Sequence, residues 1–204
     1  ANVISQGCTP IGETWTITKA ERNVIQEIGN RPAYQILAEM CERMPVAEQR
    51  KLQNNLFIGL VVNEYLEEFH RGDFLIRNLM GADPARGSLV VAALPRTGQT
   101  LQFQRRDAAA ATEDLAALLR RATEELRGRT VYGGSLHCCN GRGRRLFGRP
   151  SHDAGMIMEQ LGPIGLAGFF CNGEIGPVGG TNFLHGYTAS LGLFRPSTPL
   201  RTQQ

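Results

Sequence analysis

One segment in the second half of the chain limits the possible folds most strongly. Residues 130–139 have the apolar and β-branched character of a strand. They lead into a loop in which glycines alternate with arginines, namely Gly141, Arg142, Gly143, Arg144, Arg145, Gly148 and Arg149. A glycine loop between a strand and a helix presents backbone N–H groups to an anion, and guanidinium groups bind carboxylates or phosphates. The segment therefore predicts a strand end at which an anionic ligand or a partner meets the protein.

The composition indicates one substantial folded domain without a marked preference for a charged partner. The chain has 204 residues, of which 42% are hydrophobic, and its formal net charge is +3, so we expect neither a nucleic-acid nor a membrane partner. No apolar run is long enough to cross a membrane, and no charged-then-apolar leader opens the sequence. Five cysteines without framework spacing are typical of reduced thiols. We therefore expect a cytoplasmic protein.

Hydrophobic periodicity predicts strand pairs early in the chain and βαβ-like units late in it. This order is typical of an α/β fold, with α+β as the alternative, and we expect a single layered domain with a mixed β-sheet and flanking helices. Residues 1–22 are expected to form a lead-in loop and first strand, residues 23–195 the main domain, and residues 196–204 a flexible tail. Two apolar runs, residues 56–62 and 164–171, are expected to be strands buried on both faces.

A second turn follows the apolar run that ends at residue 171. Because ligands bind at strand ends in α/β sheets, we expect the turns at residues 140–143 and 172–176 to lie side by side. In that arrangement Arg142 would bind a ligand carboxylate and Glu174 an ammonium group, although Glu174 could instead pair internally with an arginine. His185 would reach the same region or satisfy a turn. The candidate ligand-binding residues are Cys139, Asn140, Gly141, Arg142, Gly143, Asn172, Gly173, Glu174 and His185.

The cysteine in this loop suggests reactivity without a complete catalytic apparatus. Nearby arginines and oriented N–H groups favour a thiolate at Cys139, which we expect to be the most reactive of the five thiols; the alternative is a buried structural cysteine. No local signature joins a histidine base to this thiol, so we expect no enzymatic activity. Adjacent Cys138 and Cys139 point to opposite faces of a strand and no Cys-x-x-Cys pair exists, so no metal is expected. Leu146 stands where a dinucleotide fingerprint needs a small residue, and no cofactor is expected.

Several longer motifs resemble those of the FIST family, in the same order along the chain. They are Gly7-Cys-Thr-Pro-Ile-Gly12, Tyr65-Leu-Glu-Glu-Phe69, Gly72-Asp-Phe-Leu-Ile-Arg-Asn78, Cys139-Asn-Gly-Arg-Gly143, Gly168-Phe-Phe-Cys-Asn-Gly-Glu-Ile-Gly176 and Asn182-Phe-Leu-His-Gly186. The resemblance covers about residues 3–194 and implies that residues 23–195 are a FIST_C-like domain, the C-terminal FIST half of a bacterial-type sensory protein. It further implies that the N-terminal FIST half is missing from this chain.

The resemblance implies a function in signal transduction. A domain of this family would be a cytoplasmic sensor of a small ligand, such as an amino acid or another small carboxylate. The residues themselves leave two alternatives open. One is a protein-interaction module that docks through the arginine-rich loop, and the other is a thiol-dependent enzyme centred on Cys139.

Overall fold

The computed structural model describes residues 1–196, which form two β-sheets, a separate β-hairpin and five helices. The strands are β1 (Asn2–Ser5), β2 (Cys8–Glu21), β3 (Val24–Ile28), β4 (Arg31–Pro32), β5 (Leu56–Val61), β6 (Phe74–Asp83), β7 (Ser88–Val91), β8 (Thr100–Arg106), β9 (Gly133–Cys139), β10 (Gly165–Cys171), β11 (Glu174–Val178), β12 (Thr181–His185) and β13 (Ala189–Phe194). The helices are α1 (Ala33–Glu42), α2 (Val46–Leu52), α3 (Ala108–Glu125), α4 (Arg144–Phe147) and α5 (His152–Leu161).

The larger sheet closes on itself because its longest strand has two partners. The first half of β2 pairs with β8 and its second half with β3, so the order β2-β8-β5-β6-β7-β3 returns to β2, and β4 pairs at the edge of β3. The apolar side chains of these strands form one core with α1, which contributes Ala33, Ile36 and Leu37. The spacing of these three residues predicts this buried helix face, and the structure confirms it.

The smaller sheet has the order β1-β13-β9-β10 and carries helices α3 and α5 on one face. β9 and β10 are parallel, whereas the other pairs are antiparallel, so the sheet is mixed as predicted. Leu115 and Leu119 of α3 and Ile157 of α5 are buried against it. Asp107 caps α3 by accepting a hydrogen bond from the backbone N–H of Ala110 at 2.8 Å, as the sequence predicts.

The layered α/β class is confirmed, and the differences from expectation arise from long-range pairing. Residues 7–12, which lie in the segment expected to be a lead-in loop and first strand, belong mostly to β2, because β8 supplies a partner for this polar stretch. The hairpin of β11 and β12 was not predicted. Of the expected flexible tail, residues 197–204 lie outside the described residues. Within residues 1–196, no helix combines the length and the apolar character needed to cross a membrane.

One of the two strands expected to be doubly buried is instead exposed. The run at residues 56–62 is confirmed as a buried central strand, since β5 lies between β8 and β6. The run at residues 164–171 forms β10, which pairs only with β9, and Phe169 and Phe170 are 63% and 57% exposed. The expectation for this run was therefore wrong. An apolar run predicts a strand, but it does not distinguish a central strand from an edge strand.

Candidate functional site

The two turns expected to lie together are neighbours in the structure. β9 and β10 pair in parallel with Cys139 opposite Cys171, so the turns after them start at the same edge of the sheet. The backbone N–H of Asn140 donates to the carbonyl of Cys171 at 2.8 Å, and its side-chain amide donates to Asn172 Oδ1 at 2.8 Å. The predicted juxtaposition of these turns is confirmed.

Arg142 is a buried structural residue rather than a free anchor for a ligand carboxylate. Its guanidinium donates twice to Asp153, from Nε to Oδ2 at 2.7 Å and from Nη2 to Oδ1 at 2.9 Å, and its side chain is fully buried. Burial alone would raise the pKa of Asp153, but the hydrogen bonds and charge of Arg142, together with His152, lower it below its usual value. The expectation of an open Arg142 is corrected because α5 supplies an internal carboxylate.

Asp153 stands at the centre of a hydrogen-bonded group that joins four parts of the domain. His152 Nδ1 lies 3.0 Å from Asp153 Oδ1, and His152 Nε2 lies 3.0 Å from the hydroxyl of Thr112 on α3. Cys138 on β9 donates its thiol to Asp153 Oδ2 at 3.5 Å. The ring of Phe147 on α4 stacks on the imidazole of His152 with centroids 3.6 Å apart. These hydrogen bonds hold the loop after β9 against α3 and α5.

Glu174 is also closed to solvent in this structure. The side chain is buried, its Oε1 accepts the thiol proton of Cys171 at 3.4 Å, and its Oε2 accepts the backbone N–H of Thr188 at 3.2 Å. Burial raises the pKa of this carboxyl above its usual range. No ion pair to Glu174 is found within residues 1–196, so the structure provides neither the expected shared site with Arg142 nor the alternative internal arginine partner.

Sequence reasoning missed a buried arginine that reaches the loop from the larger sheet. Arg106 on β8 is only 6% exposed, and its Nη2 donates to the carbonyl of Gly141 at 3.1 Å. Its guanidinium lies 4.9 Å from the ring centre of Tyr187, and burial lowers its pKa. No carboxylate pairs with it in the described part of the chain. The alternation of polar and apolar residues along β8 is typical of a half-exposed strand, and this local pattern does not indicate a contact between the two sheets.

His185 lies behind the second turn, where it joins the β11–β12 hairpin internally. Its Nε2 lies 2.9 Å from the carbonyl oxygen of Gly176, and the ring is buried. Burial, together with the nearby charge of Arg77, lowers the pKa of His185 below its usual value. The imidazole therefore donates its Nε2 proton within the hairpin and remains neutral near pH 7, which is the role of a turn residue.

Mild acid is expected to reduce the stability of the domain through His185. Because its pKa is lower in the folded protein, its stabilising contribution is complete above the unfolded pKa of about 6.5 and is lost as the pH falls toward the folded pKa. Urea unfolding between about pH 7.5 and about pH 5 should show this loss, and His185→Gln should flatten the slope. Equal slopes in the wild-type protein and in His185→Gln would contradict the assignment.

A cavity of about 240 Å³ opens beside the first turn, on the helix side of the smaller sheet. We call it the edge cavity. It is lined by Leu136 and Cys138 of β9, residues 166–170 of β10, Gly143 and the first turn of α5 at residues 151–154. Its lining combines apolar side chains with the polar side chains of His152 and Asp153. Of the predicted ligand-binding residues, only Gly143 lines it.

The five cysteines differ in their surroundings. Cys8 is buried in β2, and burial raises the pKa values of Cys8 and Cys138 to about 12. Cys41 and Cys171 are partly exposed. Cys139 is largely buried, and its sulfur accepts the backbone N–H of Gly141 at 3.4 Å. Its expected reactivity stays a prediction. Within residues 1–196, no group of three or more His, Cys, Asp and Glu side chains is arranged to hold a metal ion.

Comparison with known proteins identifies the class to which this α/β domain belongs. The FIST C domain model matches residues 33–177, and the FIST N domain model matches residues 1–31. The chain therefore belongs to the FIST family, whose domains are associated with signal transduction and small-ligand sensing. The expectation that the N-terminal FIST half is missing is not supported, because the FIST N domain model matches residues 1–31, which supply β1, β2 and β3.

Mycobacterial relatives cover nearly all of this chain. An uncharacterized protein of Mycobacterium tuberculosis is 52% identical over 193 residues, which is 95% of this chain and 50% of the relative. An uncharacterized protein of Mycobacterium bovis is 50% identical over 192 residues, covering 94% of this chain and 50% of the relative. The chain thus spans about half the length of the curated relatives that it matches.

Proposed function

We propose that this chain is a cytoplasmic sensing domain that binds a small metabolite in the edge cavity and has no enzymatic activity of its own. The observation that carries the proposal is the cavity itself, which lies along the parallel strands β9 and β10, between them and the first turn of α5, and reaches Gly143 in the loop after β9. The family association with small-ligand sensing supports the same assignment.

The size and walls of the edge cavity favour a small ligand with an apolar part. Its volume of about 240 Å³ lies below the roughly 300–1,000 Å³ of pockets that hold drug-sized molecules. The side chain of Phe170 borders it from the exposed strand, and Leu136 and Leu166 also line it. An apolar side chain of an amino acid, or the hydrocarbon part of another small carboxylate, fits these walls.

The first turn of α5 favours a carboxylate at the other end of the ligand. Residues 151–154 line the edge cavity, and no side chain in the described part of the chain caps this helix. Free N–H groups at a helix N-terminus attract anions through their hydrogen bonds and the helix dipole. A carboxylate placed there would lie beside the group centred on Asp153, which connects through His152 and Thr112 to α3. Binding would thereby change how α3 packs against α5, and a signal could pass through this pair of helices.

A thermal-shift screen of the standard amino acids and of small carboxylates such as pyruvate and succinate tests this proposal. A ligand that binds only the folded protein stabilises it by about 2.7 kcal/mol at a concentration 100 times its Kd. We expect at least one compound with both an apolar part and a carboxylate to raise the Tm. The absence of any concentration-dependent rise across the panel would contradict the proposal.

A matched pair of phenylalanines locates the binding site. Phe170 lines the edge cavity and Phe194 does not, yet both side chains are 57% exposed. Phe170→Ala should weaken binding of a stabilising compound about tenfold or more, because losing the apolar contact of the ring costs roughly 1.5 kcal/mol or more of binding free energy. Phe194→Ala should leave the affinity unchanged, as measured by calorimetric titration. Equal affinities in both variants would place the ligand elsewhere.

The arginine-rich loop supports a second candidate function as a docking site for an acidic partner. Arg144, Arg145 and Arg149 are exposed, and none of them forms an ion pair within residues 1–196. A cluster of exposed guanidinium groups attracts acidic surfaces in a salt-dependent way. Replacing all three arginines with glutamine should abolish the binding of a polyglutamate peptide if the loop docks acidic partners. The edge-cavity ligand should still bind this variant, which separates the two functions.

A further inference from the structure

We propose that Cys139 and Cys171 form a reversible disulfide when the protein meets a hydroperoxide, and that this bond ties together the two turns at the edge of the smaller sheet. The two cysteines are register partners at the ends of the parallel strands β9 and β10, so their side chains leave the sheet on the same face. The modification goes beyond the proposed ligand binding and does not depend on it.

Strand register alone brings the two cysteines within reach of a disulfide. Neighbouring strands lie about 4.8 Å apart in the hydrogen-bonding direction, and disulfides join Cα atoms that are roughly 4.4–6.8 Å apart. The pairing continues to the last residue of each strand, because the backbone N–H of Asn140 donates to the carbonyl of Cys171 at 2.8 Å. Both thiols are reduced in this structure, so the pair is available for oxidation.

The positions of the other cysteines make this pair specific. Cys138 precedes Cys139 directly but points to the opposite face, where its thiol donates to Asp153. Cys8 is buried in β2, and the partly exposed Cys41 packs from α1 against the core of the larger sheet. Only Cys171 occupies the register position opposite Cys139.

The exposure of the two thiols sets the order of the reaction. Cys171 is partly exposed and meets the peroxide first, whereas Cys139 is largely buried. The thiol proton of Cys171 passes to Glu174, whose Oε1 lies 3.4 Å from the sulfur. The sulfur attacks one peroxide oxygen, the O–O bond breaks, and a sulfenic acid forms while the departing hydroxide takes the proton and leaves as water.

The second step closes the bond and balances the reaction. The Cys139 sulfur attacks the sulfenic sulfur of Cys171, the S–O bond breaks, and the leaving hydroxide combines with the Cys139 thiol proton to form a second water. With hydrogen peroxide, two thiols lose two electrons in total, and the peroxide is reduced to two waters. Thiol reductants reverse the bond by thiol–disulfide exchange.

Thiol counting on peroxide-treated native protein tests the proposal. We expect the number of free thiols, titrated after denaturation, to fall from five to three, and a peptide linking Cys139 to Cys171 to appear in the mass spectrum. Dithiothreitol should restore all five thiols. The wild-type protein alone decides the result, so a variant that failed to fold would not obscure it.

Three single variants assign the pair. Cys139→Ser and Cys171→Ser should each abolish the linked peptide, whereas Cys41→Ser, which replaces another partly exposed cysteine, should leave it intact. The proposal is overturned if all five thiols survive treatment, if only separately over-oxidised cysteines appear, or if fragmentation of the linked peptide places the disulfide on Cys138 rather than on Cys139.

Discussion

Replacing Asp153 with alanine is expected to lower the free energy of unfolding by about 3–5 kcal/mol, the usual loss when one partner of a buried ion pair is removed. The variant would leave the fully buried guanidinium of Arg142 without its two hydrogen bonds to a carboxylate. It would also remove the acceptor for Cys138 and His152. Urea unfolding at neutral pH measures the change.

Two further variants separate the loss of the buried ion pair from a general loss of charge. Glu125→Gln breaks the exposed pair of Arg121 and Glu125 on α3, and it should cost only about 0.3–0.5 kcal/mol. The double variant Arg142→Met with Asp153→Leu should recover most of the stability lost in Asp153→Ala, since apolar residues can replace a buried ion pair. A loss below about 1 kcal/mol in Asp153→Ala would show that the pair does not hold the loop.

Acid should remove the contribution of the Asp153 carboxylate to the free energy of unfolding. Because the folded pKa of Asp153 is lowered, its stabilising effect is present above the unfolded pKa of about 3.9 and is lost as the pH falls through the folded value. The difference between the wild-type protein and Asp153→Ala should therefore shrink below about pH 4. A difference that stayed constant into this range would assign the loss to packing rather than to the charge of the carboxylate.

Gly168→Ala is expected to be the most damaging small substitution in the exposed strand, with a loss of about 3 kcal/mol or more. A Cβ at position 168 would overlap the carbonyl oxygen of Leu136 on the paired strand β9. Backbone atoms cannot rotate away as a side chain can, so β10 would have to separate from β9. The variant should lower the Tm and increase the hydrogen exchange of the β10 amides.

Gly165 supplies a matched control on the same strand. It is also exposed, but a Cβ there would meet no atom within 4 Å. Gly165→Ala should therefore leave the Tm nearly unchanged, and the comparison removes any effect of glycine flexibility. If both variants were equally stable, the close approach of β9 and β10 described here would be wrong.

Local patterns predicted the elements whose stability depends on nearby residues. The apolar stripe of α1, the aspartate that caps α3 and the continuous apolar run of β5 all indicate structures that the chain forms there. Each rests on periodicity or capping within one segment, which is information that a single sequence contains. The juxtaposition of the turns after β9 and β10 was also predictable, because parallel strands end at the same edge.

The features that sequence reasoning missed depend on partners far along the chain. β10 has a typical buried sequence, but its exposure follows from the lack of a second strand partner among the described residues. Arg142 was expected to face a ligand, yet Asp153 engages it once α5 packs against the loop. Arg106 reaches Gly141 across the boundary between the two sheets, a contact that only the tertiary fold creates.

Hydrogen–deuterium exchange with and without a stabilising compound from the ligand panel tests the central claim most directly. If the edge cavity binds the ligand, protection should increase at β10, at Gly143 and at the first turn of α5, which together line it. The amides of β2 to β4, on the larger sheet, should exchange at unchanged rates. Protection confined to the larger sheet, or to the exposed arginines of the loop, would contradict the assignment of the edge cavity as the sensing site.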